Sequence, residues 1–326
     1  MKKTALKILA LVLTFVMASS LICGTVANAD AGEHYKVAFF VKTLTNEPFM
    51  VKLSDRCREL LEADGHEFTV FSAGDQTGVA TQNNQLEDAI NSGEYDALIV
   101  VPVDSNAVLP MLQEAKDAGI PVCVVDTPLP EGNEELILSF IGTDNYAASL
   151  KAGTEFIELM GGKGTAALIR GITGAKSLDD RVRGYTEACA NAGIEIVADQ
   201  PGYCNNADAM QAMENILQSN PEITCVFSVT DVMVDGILSA VENAGREDLY
   251  ICCFDGAANC TQLILDGQVT ATAGQYPTVM AEKAVEFLTG YLDGTLSEED
   301  IPAIVDSGSM TIVQENAQDW LDNYAF

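Results

Sequence analysis

From Tyr35 onward the chain alternates short apolar runs with amphipathic stretches of helical period, and this rhythm narrows the possible folds more than any other feature. The runs Tyr35–Val41, Phe68–Phe71, Ala97–Val101 and Val122–Val125 read as strands, with helices over Pro48–Ala63, Thr81–Asn91 and Ala107–Ala118 between them. The pattern continues through strands at Ala166–Ile169, Glu195–Val197, Cys225–Val229, Tyr250–Phe254 and Val269–Ala273. Strands apolar along their whole length must be covered on both faces, which is the signature of parallel sheets flanked by helices. So many strands overfill one ordinary sheet, so the rhythm predicts two α/β lobes.

An internal echo supports two similar lobes. Asp96–Asp104 leads through a helix to Ala118-Gly119 and a strand ending at Asp126. Ile223–Asp231 leads through a helix to Ala244-Gly245 and a strand ending at Asp255. Glycine suits a helix C-terminus, and Pro121 cannot extend the helix before it. Asp104, Asp126, Asp231 and Asp255 all follow the carboxyl ends of strands. In open parallel sheets that edge binds ligands, and a carboxylate accepts several hydrogen bonds at once, which suits adjacent hydroxyls. For Asp104 and Asp231 a helix N-cap is an equal alternative.

The first residues read as an export signal. Lys2, Lys3 and Lys7 precede an apolar stretch from Ile8 to Ile22, and Ala27-Asn28-Ala29 offers a cleavage site after Ala29. Soluble export to the periplasm or cell surface is expected, with lipidation at Cys23 the alternative, although Ile22 suits a lipobox poorly. With 17 basic against 48 acidic residues and a net charge of −31, the chain lacks the footprint for nucleic acid or an anionic membrane. Of nine cysteines, Cys123, Cys225, Cys252 and Cys253 fall inside apolar runs and read as free core thiols, with one disulfide open as an alternative.

Enzymatic signatures are missing. Gly171–Ser177 lies between strand and helix like a phosphate loop, but Arg170 and Ala175 occupy the positions that need glycine. There is no GxSxG, and neither His34 nor His66 sits in a metal or triad pattern.

The segments Thr43–Met50, Pro102–Ser105, Ala118–Val122 with Asp126, Ile141–Asn145, Arg181 with Arg183–Tyr185, Phe254–Gly256, and Gly267–Val269 with Gln275 carry a resemblance. In this order the chain resembles the periplasmic sugar-binding proteins of ABC transporters, in the ribose/galactose-binding-like group. The resemblance implies two Rossmann-like lobes with parallel sheets joined by a three-crossover hinge and closing on a sugar. It implies a signal peptide over 1–29, one lobe of 30–142 plus 276–305, and another of 143–275 plus 306–326, with crossovers near Ile141–Thr143, Gly274–Pro277 and Ile304–Ser307. Its implied ligand-binding residues are Lys42, Glu47, Phe49, Met50, Asp126, Thr143, Arg181, Thr230, Asp255 and Gln275. It further implies a monomer without cofactor or enzymatic activity, delivering a monosaccharide or related polyol to a permease; reception of a chemotactic or quorum signal is the alternative. Departures from the ribose-type pattern are Val101 for asparagine, Thr127 for arginine after Asp126, Met50 and Cys204 for aromatics, and Lys42 for serine. They make ribose itself doubtful as the ligand.

Overall fold

The computed structural model describes residues 34–326; the export segment and Cys23 lie outside the described residues. Two six-stranded sheets form the cores of two α/β lobes. The first contains β1 (Lys36–Val41), β2 (Glu67–Ser72), β3 (Ala97–Val100), β4 (Val122–Val125), β5 (Ser139–Gly142) and β11 (Ile304–Asp306), in the order β11-β5-β4-β3-β1-β2. The second contains β6 (Thr165–Arg170), β7 (Glu195–Pro201), β8 (Cys225–Ser228), β9 (Tyr250–Asp255), β10 (Ala271–Gln275) and β12 (Ser309–Ile312), ordered β12-β10-β9-β8-β6-β7. Every pairing is parallel except β10 with β12.

The two orders are the same topology repeated, so β4 corresponds to β9 and β3 to β8. The echo in the sequence is therefore a structural one. Gly119 and Gly245 both end helices with positive φ, at +75° and +64°, where a side chain would be strained.

Alternation within the apolar strands sorts the core into layers. Val37, Phe39, Val41, Ile99 and Val125 pack on one face of the first sheet with the helix Pro277–Leu292, while Ala38, Phe40, Leu98, Val100 and Val124 pack on the other. All eight cysteines among the described residues are free and buried, with Cys123, Cys225, Cys252 and Cys253 inside strands.

The elements differ from the predicted ones mainly at their ends. β10 starts at Ala271 rather than Val269, because the Gln268 and Val269 amides both donate to the Leu263 carbonyl and belong to the preceding helix end. The helix expected from Ala107 starts at Leu109, since Asp104 Oδ1 holds the Asn106 and Ala107 amides in a turn. β7 runs to Pro201, past the predicted Val197; as an edge strand it needs no apolar alternation. β5, β11 and β12 were not legible as strands, being short and, in β11, largely exposed. The chain crosses between sheets three times, after Gly142, Gln275 and Asp306.

Candidate functional site

The loops at the carboxyl ends of both sheets enclose a cavity of about 370 Å³. Eight of the ten expected residues line it: Lys42, Glu47, Phe49, Met50, Asp126, Arg181, Thr230 and Asp255. The two strand-end acids sit at corresponding positions, Asp126 just after β4 and Asp255 as the last residue of β9. Both have positive φ, +63° and +122°, a conformation that costs a non-glycine residue about 1–3 kcal/mol and clusters at functional sites.

Asp126 is held from its own lobe. Lys42 follows β1 and places Nζ 2.7 Å from Thr127 Oγ1 and 3.5 Å from Asp126 Oδ2, while Thr127 Oγ1 donates to the same Oδ2 at 2.7 Å. Two departures from the family pattern are thus coupled in space: the cation missing after Asp126 is supplied from β1. Among the described residues, no hydrogen bond reaches Asp126 Oδ1.

Asp255 is more heavily committed than a free ligand acceptor would be. Its Oδ1 accepts from Arg181 Nη1 at 2.9 Å and Gln275 Nε2 at 2.8 Å. Its Oδ2 accepts from Thr230 Oγ1 and, at 3.4 Å, from the Asp231 amide. Burial pushes the Asp255 carboxyl above its ordinary range, with Arg181 and Thr230 opposing that rise. Its chief geometric effect is to fix Arg181, whose Nε donates to Asn145 Oδ1 and whose Nη1 also donates to the Val229 carbonyl. The guanidinium lies 3.9 Å from the centre of the Phe254 ring. Arg181 stands in the second turn of the helix Lys176–Ala192 rather than at its start. It does not pair with Asp179 or Asp180; Asp180 takes Lys176 and Arg183. Among the described residues, Arg181 Nη2 has no hydrogen-bond partner.

Glu47 precedes the helix Pro48–Ala63, and Gln76 donates to its Oε1. Burial, then the nearby Asp255 charge, pushes the Glu47 carboxyl up to about 7. Phe49 and Met50 begin that helix, and the Phe49 ring meets Phe326 edge-on with centroids 5.6 Å apart.

Thr143 and Gln275 do not line the cavity. Thr143 Oγ1 lies at the first crossover, 3.3 Å from Ser307 Oγ and from the Gly308 carbonyl. Gln275 stands behind Asp255, and among the described residues its buried Oε1 has no partner. Gln76, Ser177, Leu178 and Cys204 also line the cavity. Gln76 was legible in principle, because it follows the carboxyl end of β2. Ser177, at the end of the segment set aside as a failed phosphate motif, is the second residue of the helix Lys176–Ala192 and reaches the ligand edge of the sheet.

The other two acids are structural. Asp104 caps its turn as described. Asp231 is buried, and its Oδ2 accepts the Gly256 and Ala257 amides at 2.7 and 2.9 Å, with Thr272 Oγ1 on Oδ1. Burial, with the Asp255 charge, raises its carboxyl to about 7.

The lobes meet on one side of the cavity. The Ser105 amide donates to the Gly174 carbonyl at 3.0 Å, the Lys176 amide to Ser105 Oγ at 3.2 Å, and Thr127 Oγ1 lies 3.2 Å from Ser177 Oγ. Gly174, at φ +103°, leaves no room for a Cβ, which would fall 2.3 Å from Asp104 Oδ2.

Two α/β lobes with repeated topology and a cavity between their carboxyl edges define a bilobal solute receptor. The family model for the periplasmic binding protein domain matches residues 37–296. The ribose import binding protein of Escherichia coli is 30% identical over 295 residues, covering 89% of this chain and 95% of that protein. A solute-binding protein from Actinobacillus succinogenes, solved with D-allose, superimposes with a TM-score of 0.81 at 26% identity, covering 87% of this chain and 99% of that one. One from Mycobacterium smegmatis, solved with glycerol, gives 0.81 at 29% identity over 90% and 99% of the two chains. The chain belongs to the periplasmic binding protein family, among the type I sugar-binding proteins of ABC transporters. That family consists of solute-binding proteins. Among the described residues, no helix is long and apolar enough to cross a membrane.

Proposed function

We propose that this protein binds a polyhydroxylated sugar ring in the cavity and delivers it to an ABC permease as an exported, monomeric receptor, performing no chemistry on it. The observation that carries this reading is a pair of unfilled polar groups on opposite lobes. Asp126 Oδ1 offers an acceptor and Arg181 Nη2 a donor, while both side chains are held rigid by their other bonds. A hydroxyl can accept from one and donate to the other, and adjacent hydroxyls on one ring can meet both. Phe49 offers an apolar face to the ring's C–H groups. The Gln275 amide, whose Oε1 has no partner among the described residues, donates to Asp255 Oδ1 and would orient it.

The proposed lobes are 30–142 plus 276–305 and 143–275 plus 306–326, moving about the three crossovers. A ligand touching both lobes favours the closed state because only that state makes both sets of contacts. Similarity to an import binding protein supports transport over signal reception. Cleavage after Ala29 and a soluble rather than Cys23-anchored product remain part of this reading. Lys42 in place of serine and Thr127 in place of arginine argue for a sugar other than ribose.

A thermal-shift screen of aldopentoses, aldohexoses and cyclitols tests it. Ligand at one hundred times its dissociation constant stabilises by about 2.7 kcal/mol, which is easily read. If no sugar or polyol raises the melting temperature, the reading fails.

A further inference from the structure

The site is asymmetric. On the side of Ser105 and Gly174 the lobes are joined by the hydrogen bonds already described. On the opposite side they stand apart around a second cavity of about 1100 Å³. Thr45, Asn46, Asp75 and Thr77 line it from the first lobe; Tyr203 and Asn206 line it from the second. Among the described residues, no hydrogen bond joins the segments Thr43–Asn46 or Gly74–Thr77 to Tyr203–Asp208.

The two cavities touch. Glu47, Gln76 and Cys204 line both, which places these three side chains at the junction. The chain treats the junction in an unusual way. Tyr203 and Cys204 are consecutive non-glycine residues with positive φ, +49° and +54°. Such conformations persist only where the surroundings enforce them. Here the Gly202 amide donates to the Arg170 carbonyl, the Asn205 amide donates to the Gly202 carbonyl, and the Cys204 thiol packs against Gly171. The result is that Cys204 turns inward to the small cavity, 7% exposed, while its neighbour Tyr203 stands 51% exposed at the large one.

An exposed aromatic ring beside a polar groove is a surface on which a pyranose or furanose can stack, with the surrounding amides and hydroxyls meeting its hydroxyls. The outer cavity is the larger of the two and continues from the inner one toward solvent. We propose that the ligand is a disaccharide or a glycoside: one ring sits between Asp126 and Arg181, and the second lies in the outer groove against Tyr203. This rests on the reading of the inner cavity as a sugar site.

The test is calorimetric titration and thermal shift of the full exported chain with matched probes. Galactose is compared with lactose and melibiose, glucose with cellobiose, xylose with xylobiose, and arabinose with arabinobiose; D-ribose and D-allose are added as single rings. The expected result is that a disaccharide binds at least as tightly as its parent ring. Tyr203→Ala should then weaken the disaccharide about tenfold, change the parent monosaccharide less than twofold, and be restored by Tyr203→Phe, which keeps the ring. Because Tyr203 is half exposed, an unchanged melting temperature of the unliganded variants verifies that they fold. Binding of single rings alone, with disaccharides excluded, overturns the two-ring proposal and leaves the inner sugar site standing. A disaccharide unaffected by Tyr203→Ala likewise overturns the role of the groove. Failure of every probe overturns both the inference and the reading beneath it.

Discussion

Replacing Asp255 separates its charge from its geometry, and the two substitutions Asp255→Ala and Asp255→Asn should differ sharply. Asp255 is the carboxylate that pairs with Arg181, whose side chain is 4% exposed. Removing one partner of a buried ion pair costs about 3–5 kcal/mol, because the remaining charge stays buried and unpaired. Arg181 keeps Asn145, the Val229 carbonyl and the Phe254 face, which places the alanine variant near the lower end, about 3 kcal/mol. Alanine also fits φ +122° poorly, whereas asparagine is among the residues that tolerate positive φ best. Asp255→Asn keeps an acceptor for Arg181 Nη1 and Gln275 Nε2 but puts its Nδ2 where Oδ2 was, so Thr230 Oγ1 must turn to accept and the long Asp231 amide bond is lost along with the charge assistance, roughly 1–2 kcal/mol in all. The assay is urea unfolding without ligand, followed by the fluorescence of Trp320. This is the single tryptophan, and its indole N–H donates to the carbonyl of Gly256, next to Asp255. The midpoints should fall in the order wild type, Asp255→Asn, Asp255→Ala at similar slopes. An alanine variant that unfolds at the wild-type midpoint, or an asparagine variant equally damaged, would refute the view that Asp255 acts chiefly by holding Arg181.

Four further outcomes are expected. Asp126→Ala should raise the dissociation constant for the screened sugar by roughly tenfold or more, since hydrogen bonds to charged groups are worth about 1.5–3 kcal/mol, while the surface control Asp293→Ala should do nothing; calorimetry decides. Glu47, neutral up to about pH 7 in the folded protein against an ordinary 4.5, contributes stability that is full below about pH 4.5 and lost as pH rises through 7. Glu47→Gln should therefore match wild type near pH 4.5 and exceed it at pH 8 by about 3 kcal/mol, and parallel stability–pH curves would contradict this. Lys42→Met strips Asp126 of its counter-charge and should lower stability by about 3 kcal/mol, whereas adding Thr127→Arg should recover part of the loss; a double-mutant cycle with no coupling would show that the two positions do not share that role. Native protein at pH 8 should react slowly with Ellman's reagent, since burial holds the Cys57 and Cys204 thiols at about 12. Cys204 should be modified first and be protected by bound sugar; rapid titration of several thiols would contradict the buried assignment.

The fold was legible because its signal is local. Strands such as Val122–Val125 are apolar throughout, their helices carry a 3.6-residue period, and Gly119 and Gly245 mark helix ends, so all but the short strands β5, β11 and β12 declare themselves without reference to their partners. The repeated order of strand, acid, helix and strand also placed Asp126 and Asp255 at equivalent edges. What the sequence could not separate was one strand-end acid from another. Asp231 and Asp255 both follow central strands of the same sheet, yet one is consumed by the Gly256 and Ala257 amides and the other by Arg181 from a distant helix. Those outcomes depend on which donors arrive in three dimensions, and spacing along the chain carries no record of that. The same holds for Lys42, which meets Thr127 only because β1 and β4 flank β3 in the sheet, and for Thr143 and Gln275, displaced from the cavity by the crossovers they occupy. Tyr203 and Cys204 are the clearest case: adjacent in sequence, Cys204 reaches the inner cavity and Tyr203 only the outer one, with their backbone held in a conformation that neither residue prefers. Periodicity along the chain determined the elements and their edge; the pairing of buried charges and the shape of the space between the lobes were decided only by tertiary packing, because desolvated groups must take whichever partners the fold brings within reach.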